Sequence, residues 1–245
     1  MRTYAIGDIH GQLDLLKALH DRIAADQAAH GAAPIVHVGD LVDRGPNSAG
    51  VIQYLIDGMA AGQDWVVIKG NHDRMFTGFL DDMQRQDPGL RSDLSWLHPK
   101  LGGAFTLASY GVINAADRRV SSVHAEAVAA VPAQHRAFLT GLPTSLRRGG
   151  TVFVHAGIRP GIPLEKQTET DLVWIRNGFL DDTRDHGALI VHGHTVVPEV
   201  TRYSNRLNID TGAAYGGPLS AVVIEDGAVC QLTDTGRLML RPVSC

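Results

Sequence analysis

Three apolar runs in the first third of the chain, at 3–6, 35–38 and 65–68, each end in a glycine-bounded polar island. The islands read Gly7-Asp8-Ile9-His10-Gly11, Gly39-Asp40-Leu41-Val42-Asp43-Arg44-Gly45 and Gly70-Asn71-His72-Asp73. Between them Leu13, Leu16, Leu19 and Ile23, then Val51, Ile52, Leu55, Ile56 and Met59, recur at helical spacing. Strand and helix alternating in this way predict parallel strands joined by right-handed crossovers. Polar groups at the ends of successive strands then gather in one crevice beyond the strands' carboxyl ends. Few folds satisfy that pattern.

The middle, about 74–125, is less regular and reads as a helical insert beside the crevice. A helix across Ala133–Leu142 and a strand near 144–146 come next. The second half carries the runs Thr151-Val152-Phe153-Val154-His155 and Ala188-Leu189-Ile190-Val191-His192-Gly193-His194-Thr195. Shorter strands are expected near 199–209, 218–225 and 228–233, with Asp226-Gly227 as a hairpin turn. Such strand-rich sequence predicts a second sheet packed on the first. The expected fold is α/β, a layered α/β/β/α sandwich of two mixed sheets, as one domain over 1–245.

Bulk properties narrow the function. The chain has 245 residues, 44% of them apolar, and a formal net charge of −4 with no basic run. That is ample for a buried core and gives no electrostatic track for nucleic acid. A small phosphorylated group is still attracted where bound metal supplies local positive charge. Cys230 and Cys245 match no metal or redox spacing and are expected to be reduced and incidental. No signal peptide and no membrane-spanning run is evident, so a cytoplasmic location is expected.

Carboxylate, imidazole and amide donors at successive strand ends suit divalent ions such as Mn²⁺, Fe²⁺, Zn²⁺ or Co²⁺. Asp8, His10 and Asp40 form one ligand set; Asp40, Asn71, His155 and His194 form the other, with Asp40 shared. Two ions about 3.5–4 Å apart hold a bridging hydroxide and clamp phosphoryl oxygens for in-line attack. His72 is left over as the general acid, with Asp43 as its hydrogen-bond partner. Arg44 and Arg176 are the candidate forks for phosphate oxygens.

The motifs GDIHG, GDLVDRG, GNHD, VHAGI and HGHT, in that order from Thr3 to about Val223, resemble those of the metallophosphoesterases. More narrowly the chain is similar to the bacterial phosphoprotein phosphatases and to the symmetrical diadenosine tetraphosphatases. The resemblance implies a calcineurin-like domain, a dinuclear centre usually active with manganese, and phosphomonoester hydrolysis. It places the metal pattern on Asp8, His10, Asp40, Asn71, His155 and His194, the acid dyad on His72 and Asp43, and the phosphate arginines on Arg44 and Arg176.

Asp73, where protein phosphatases commonly have Glu, is shared with the tetraphosphatases, whereas Asp43 and the HGHT motif match the phosphatase pattern. The leading expectation is a phosphatase acting on phosphoserine or phosphothreonine in proteins. The alternatives are a dinucleoside polyphosphate hydrolase and a retired scaffold. The partners expected are a phosphorylated protein or small phosphoester, without nucleic acid or membrane. Asp73 is expected to orient a metal-binding imidazole, and Lys69 to lie near the phosphate pocket. His192 should face away from His194, Trp96 and Tyr110 should pack the insert, and the remaining histidines should be scattered packing or surface residues.

Overall fold

A computed structural model describes residues 1–243, so the expectation for Cys245 falls outside the described residues. The first five elements are β1 (Arg2–Ile6), α1 (Leu13–His30), β2 (Ile35–His37), α2 (Ser48–Ala60) and β3 (Trp65–Val67). β1 pairs with β2, and β2 with β3, both in parallel as the alternation predicts. Period-two burial explains the layering. Tyr4 and Ile6 pack with Leu16, Leu19 and Ile23 of α1 and Val51, Ile52 and Leu55 of α2. Ala5, Val36, Val38 and Ile68 point the other way, into a core shared with Phe153, Val191 and Leu207.

Four helices precede the strands of the second sheet: α3 (Asn71–Asp81), α4 (Gly103–Ser109), α5 (Val120–Ala130) and α6 (Ala133–Gly141); α7 (Glu169–Trp174) comes later, between two of them. α3 starts ahead of residue 74 and α5 continues past residue 125, with turns between α3 and α4. The remaining strands are β4 (Ser145–Arg148), β5 (Thr151–Val154), β6 (Leu189–His192), β7 (Thr201–Arg202), β8 (Arg206–Asn208), β9 (Ala221–Glu225), β10 (Ala228–Thr233) and β11 (Gly236–Met239). The second sheet runs β4-β5-β6-β8-β7 and is covered on its outer face by Leu172 and Val173 of α7 and by Phe179. The α/β/β/α sandwich is therefore present.

One assignment of strands is corrected. β9 and β10 do not enter the second sheet; with β11, a strand the periodicity does not announce, they extend the first, in the order β11-β10-β9-β1-β2-β3. β9 lies antiparallel to β1, Ile6 opposite Ala221. Its residues are buried on both faces, Ala221 and Val223 against the helices and Val222 and Ile224 between the sheets. Periodicity announces such an interior strand but does not name its neighbour. The hairpin turn holds as expected, with Asp226 at φ 48° and Gly227 at φ 84°.

Candidate metal centre and active site

Every predicted site residue lies just beyond a strand or helix of the crevice or in the first turn of a helix. Asp8 and His10 come after β1, Asp40, Asp43 and Arg44 after β2, and Asn71 and His72 open α3. His155 and His194 come after β5 and β6, and Arg176 after α7. His10, Asp40, Asp43, Arg44 and His194 have φ of 45°, 50°, 74°, 68° and 64°. Among the described residues only Asn114 and Asp226 otherwise adopt this left-handed conformation without being glycine. Such backbone costs about 1–3 kcal/mol per residue and persists where the surroundings enforce it. Close approach enforces it here. A Cβ on Gly70 would stand 2.2 Å from the Asp40 amide nitrogen, and one on Gly193 would stand 1.9 Å from Asp8 Oδ1.

Asp40 is the hub. Its Oδ2 lies 3.4 Å from His10 Nε2 and its Oδ1 lies 3.4 Å from His155 Nε2. His10 Nδ1 donates to the Val42 carbonyl at 2.7 Å and His155 Nδ1 to the Val38 carbonyl at 2.9 Å, which turns both Nε2 atoms inward. Ligand atoms of His10, Asp40 and His72 lie within 4.8 Å of one another, and so do those of Asp40, His155 and His194. Asn71 Oδ1 lies 2.9 Å from His155 Nε2, on the second group. Asp8 falls outside both groups; its Oδ2 accepts the His194 amide at 3.0 Å. Asp8 Oδ1 and His194 Nε2 are buried with no hydrogen-bond partner among the described residues.

The electrostatics ask for cations. Burial, with Asp210 nearby, pushes the Asp8 carboxyl well above its usual range, and burial also raises Asp210. Burial and the charge of Asp40 push Asp73 up to about 7. Burial would raise Asp40 as well, but His155 and His72 hold it well below the usual carboxylate value. Burial would lower His155, yet Asp40 and Asp8 outweigh it and raise the imidazole to about 9. A proton on His155 thus does part of what a divalent ion does better. Burial drives His10 and His194 well below the ordinary imidazole value, leaving them neutral as metal ligands must be. Orphaned donors, inward lone pairs and crowded carboxylates together fit a divalent metal centre.

Beside it, His72 Nδ1 donates to Asp43 Oδ2 at 2.6 Å, and His72 Nε2 accepts from Arg44 Nη2 at 2.9 Å. Arg44 Nη1 reaches His10 Nε2 at 2.6 Å. Arg176 donates to the His194 carbonyl at 3.3 Å and shares with Arg44 a cavity of about 180 Å³.

The family model for calcineurin-like phosphoesterases matches residues 1–216. The chain belongs to that family. It is a metallophosphoesterase, a hydrolase acting on phosphate esters. It is 28% identical over 240 residues to the asymmetrical bis(5'-nucleosyl)-tetraphosphatase PrpE of Anoxybacillus flavithermus, covering 89% of this chain and 88% of that one. The symmetrical bis(5'-nucleosyl)-tetraphosphatase of Dechloromonas aromatica is 27% identical, covering 95% and 96%. Among solved structures, one provisionally assigned as a diadenosine tetraphosphatase superposes with TM-score 0.64 at 21% identity, over 98% of this chain and 94% of that one. A cold-active protein-tyrosine phosphatase of a Shewanella species gives 0.62 at 17%, over 98% and 80%. At these identities the structural likeness shows the fold alone.

In this metallophosphoesterase several supporting residues escape the sequence reading. Trp96 is buried against Phe76 and Phe79, as expected of a packing residue, but its Nε1 also donates to Asp43 Oδ2 at 2.8 Å. Thr106 Oγ1 donates to Asp43 Oδ1 at 2.7 Å. Tyr215, 65% exposed, stands with its ring centroid 5.2 Å from the Arg44 guanidinium carbon. Thr195 Oγ1 is buried, unpartnered among the described residues, and its residue lines the same cavity. A short motif marks only the residues just beyond a strand, so contributors from 96 and 106 carry no local signal.

Two expectations are corrected. Asp73 orients no imidazole: it accepts the Leu41 amide at 2.9 Å and the Gly70 amide at 2.8 Å, locking two site loops together. Lys69 contributes nothing to phosphate, since its ammonium donates to the Thr140 carbonyl at 3.2 Å and faces Glu169. His192 does face away, packed on Phe179 and bonded by Arg206. Tyr110 packs on Phe76 and bonds His135. No helix among the described residues is long and apolar enough to cross a membrane.

Proposed function

We propose that this metallophosphoesterase hydrolyses dinucleoside polyphosphates, with two divalent ions, most readily manganese. The observation that carries the reading is the lining of the central cavity. Arg44 and Arg176 converge there, and the exposed Tyr215 ring stands at the edge. Two guanidinium groups give enough forked donors to hold more than one phosphate of a chain. About 180 Å³ leaves a nucleoside outside the cavity, where Tyr215 offers a stacking face. The named relatives, matched over nearly their whole length, support the same class.

Asp8, His10, Asp40, Asn71, His155 and His194 would hold the ions, which supply Lewis-acid polarisation of phosphoryl oxygens and an activated water. The chain's own groups do the rest. Arg44 and Arg176 fix the phosphoryl oxygens. With a proton on each ring nitrogen, His72 donates from Nδ1 to Asp43 and delivers its Nε2 proton to the departing oxygen, Arg44 having turned from Nε2 onto the phosphate.

That dyad supports a second reading, hydrolysis of phosphoserine or phosphothreonine in proteins. A serine alkoxide leaves poorly without a proton, whereas a nucleotide phosphate leaves well without one. Steady-state kinetics on diadenosine tetraphosphate and on phosphoserine and phosphothreonine peptides, with metal stripped and Mn²⁺ restored, separate the two. Higher kcat/KM on the dinucleotide is expected. A preference for phosphopeptide would replace the first reading by the second, and inactivity on both would overturn both. Elemental analysis of the reconstituted protein should give two manganese ions per chain.

A further inference from the structure

An apolar groove of about 320 Å³ runs along α4 and the turn after it, lined by Leu97, Pro99, Phe105, Ile113, Asn114 and Asp117 among others. Its volume lies within the usual range of small-molecule sites, about 300–1,000 Å³. Phe105 is 56% exposed and Ile113 is 54% exposed, so two large apolar side chains face solvent together. Adjacent exposure of that kind marks an interaction site more often than scattered surface apolar residues do.

The groove is joined to the active site through one residue. Gly102, in its lining, accepts the Arg44 amide at 3.3 Å. A Cβ on Gly102 would stand 2.4 Å from that nitrogen, so the floor of the groove and the Arg44 backbone are in direct contact. The same position would stand 2.8 Å from Arg44 Cγ, so the groove begins against the stem of the arginine that lines the active-site cavity.

The polar rim selects among occupants. Asn114 and Asp117 line the groove and are exposed. An amide presents both donor and acceptor, and a carboxylate accepts from an exocyclic amino group. The carboxylate also repels phosphate, which leaves the phosphates at the arginines and the uncharged end of the ligand in the slot. A flat heterocycle with apolar faces and a polar edge meets all of these conditions.

We infer that this groove is a nucleobase subsite, with Phe105 as its stacking wall and a determinant of specificity. The inference rests on the dinucleoside polyphosphate reading. Its test uses the manganese-loaded enzyme and the variants Phe105→Ala and Ile113→Ser. The readout is the ratio of kcat/KM on diadenosine tetraphosphate to that on 4-nitrophenyl phosphate, which has no base. The ratio should fall about tenfold in Phe105→Ala, toward the low end of what loss of one base–aromatic stack produces.

A second measurement works without dinucleotide turnover. ADP should inhibit 4-nitrophenyl phosphate hydrolysis more tightly than inorganic pyrophosphate, and Phe105→Ala should remove the difference. An unchanged ratio with wild-type dinucleotide turnover intact overturns the subsite and leaves the function standing. No dinucleotide turnover, with ADP and pyrophosphate inhibiting alike, overturns both. A loss in Phe105→Ala confined to a phosphopeptide substrate would assign the groove to peptide and overturn the nucleobase.

Discussion

Asp43 carries its charge between three donors, His72 Nδ1, Trp96 Nε1 and Thr106 Oγ1, in a fully buried position. Each bond restricts carboxylate rotation, and with it the aim of His72. His72→Asn keeps a polar group but removes the transferable proton. Its kcat on an alkyl phosphate should drop about 10²–10⁴-fold, the usual scale for lost acid–base catalysis. On 4-nitrophenyl phosphate, whose phenolate leaves unprotonated, the drop should be far smaller. Equal losses on both substrates would remove His72 from the acid's role. Trp96→Phe preserves the stack on Phe76 and deletes one bond to Asp43, so it should show the same leaving-group dependence at reduced size. A purely structural role for Trp96 would lower Tm without that dependence.

At the scale of elements, the loop after β2 and the start of α3 are one unit. Asp40 Oδ1 accepts the His72 amide at 2.9 Å in the first turn of α3, where the helix dipole favours negative charge. Asp73 ties the same turn to the Leu41 amide. Asp73→Asn must turn an NH₂ toward one of two backbone donors, which leaves a buried N–H without an acceptor. The expected cost is about 1–3 kcal/mol by urea denaturation. Manganese affinity should weaken about 10–100-fold by titration calorimetry, the range for residues supporting a metal ligand. Unchanged affinity would reduce Asp73 to a simple cap. The islands around Asp40 and Asn71 were legible because each comes directly after an apolar strand. β9 was legible as a strand but not as the partner of β1, because pairing across more than 200 residues leaves no trace in local periodicity. Trp96 and Thr106 were invisible as site residues for a related reason: their role depends on the path of irregular chain between α3 and α4.

Across the whole molecule the helix-covered face of the first sheet hides a relay of neutral imidazoles unrelated to the metal centre. His37 Nδ1 donates to the Val66 carbonyl at 3.2 Å, so its Nε2 is the acceptor facing His20 Nε2 at 2.9 Å. His20 Nε2 therefore donates, and its Nδ1 accepts from the Tyr54 hydroxyl at 3.0 Å. Trp65 lies against both rings. Burial, with His37 beside it, pushes His20 down to about 3, and burial pushes His37 down to about 4. Unfolded, both titrate near 6.5. Between that value and the folded ones the unfolded chain binds more protons, so folding stability falls as pH falls. Each histidine should cost about 1.4 kcal/mol per pH unit below 6.5 until its folded value is reached. Above pH 6.5 the pair contributes no slope. His10 and His194 add a slope of their own in metal-free protein, so the readout is a difference between chains. The double variant His20→Gln, His37→Gln should be offset from wild type at pH 8, with the gap closing or reversing as pH is lowered from 6.5 toward 4.5. Urea midpoints at half-unit pH steps measure it, and parallel curves for the two proteins would show that these imidazoles take up their protons without unfolding.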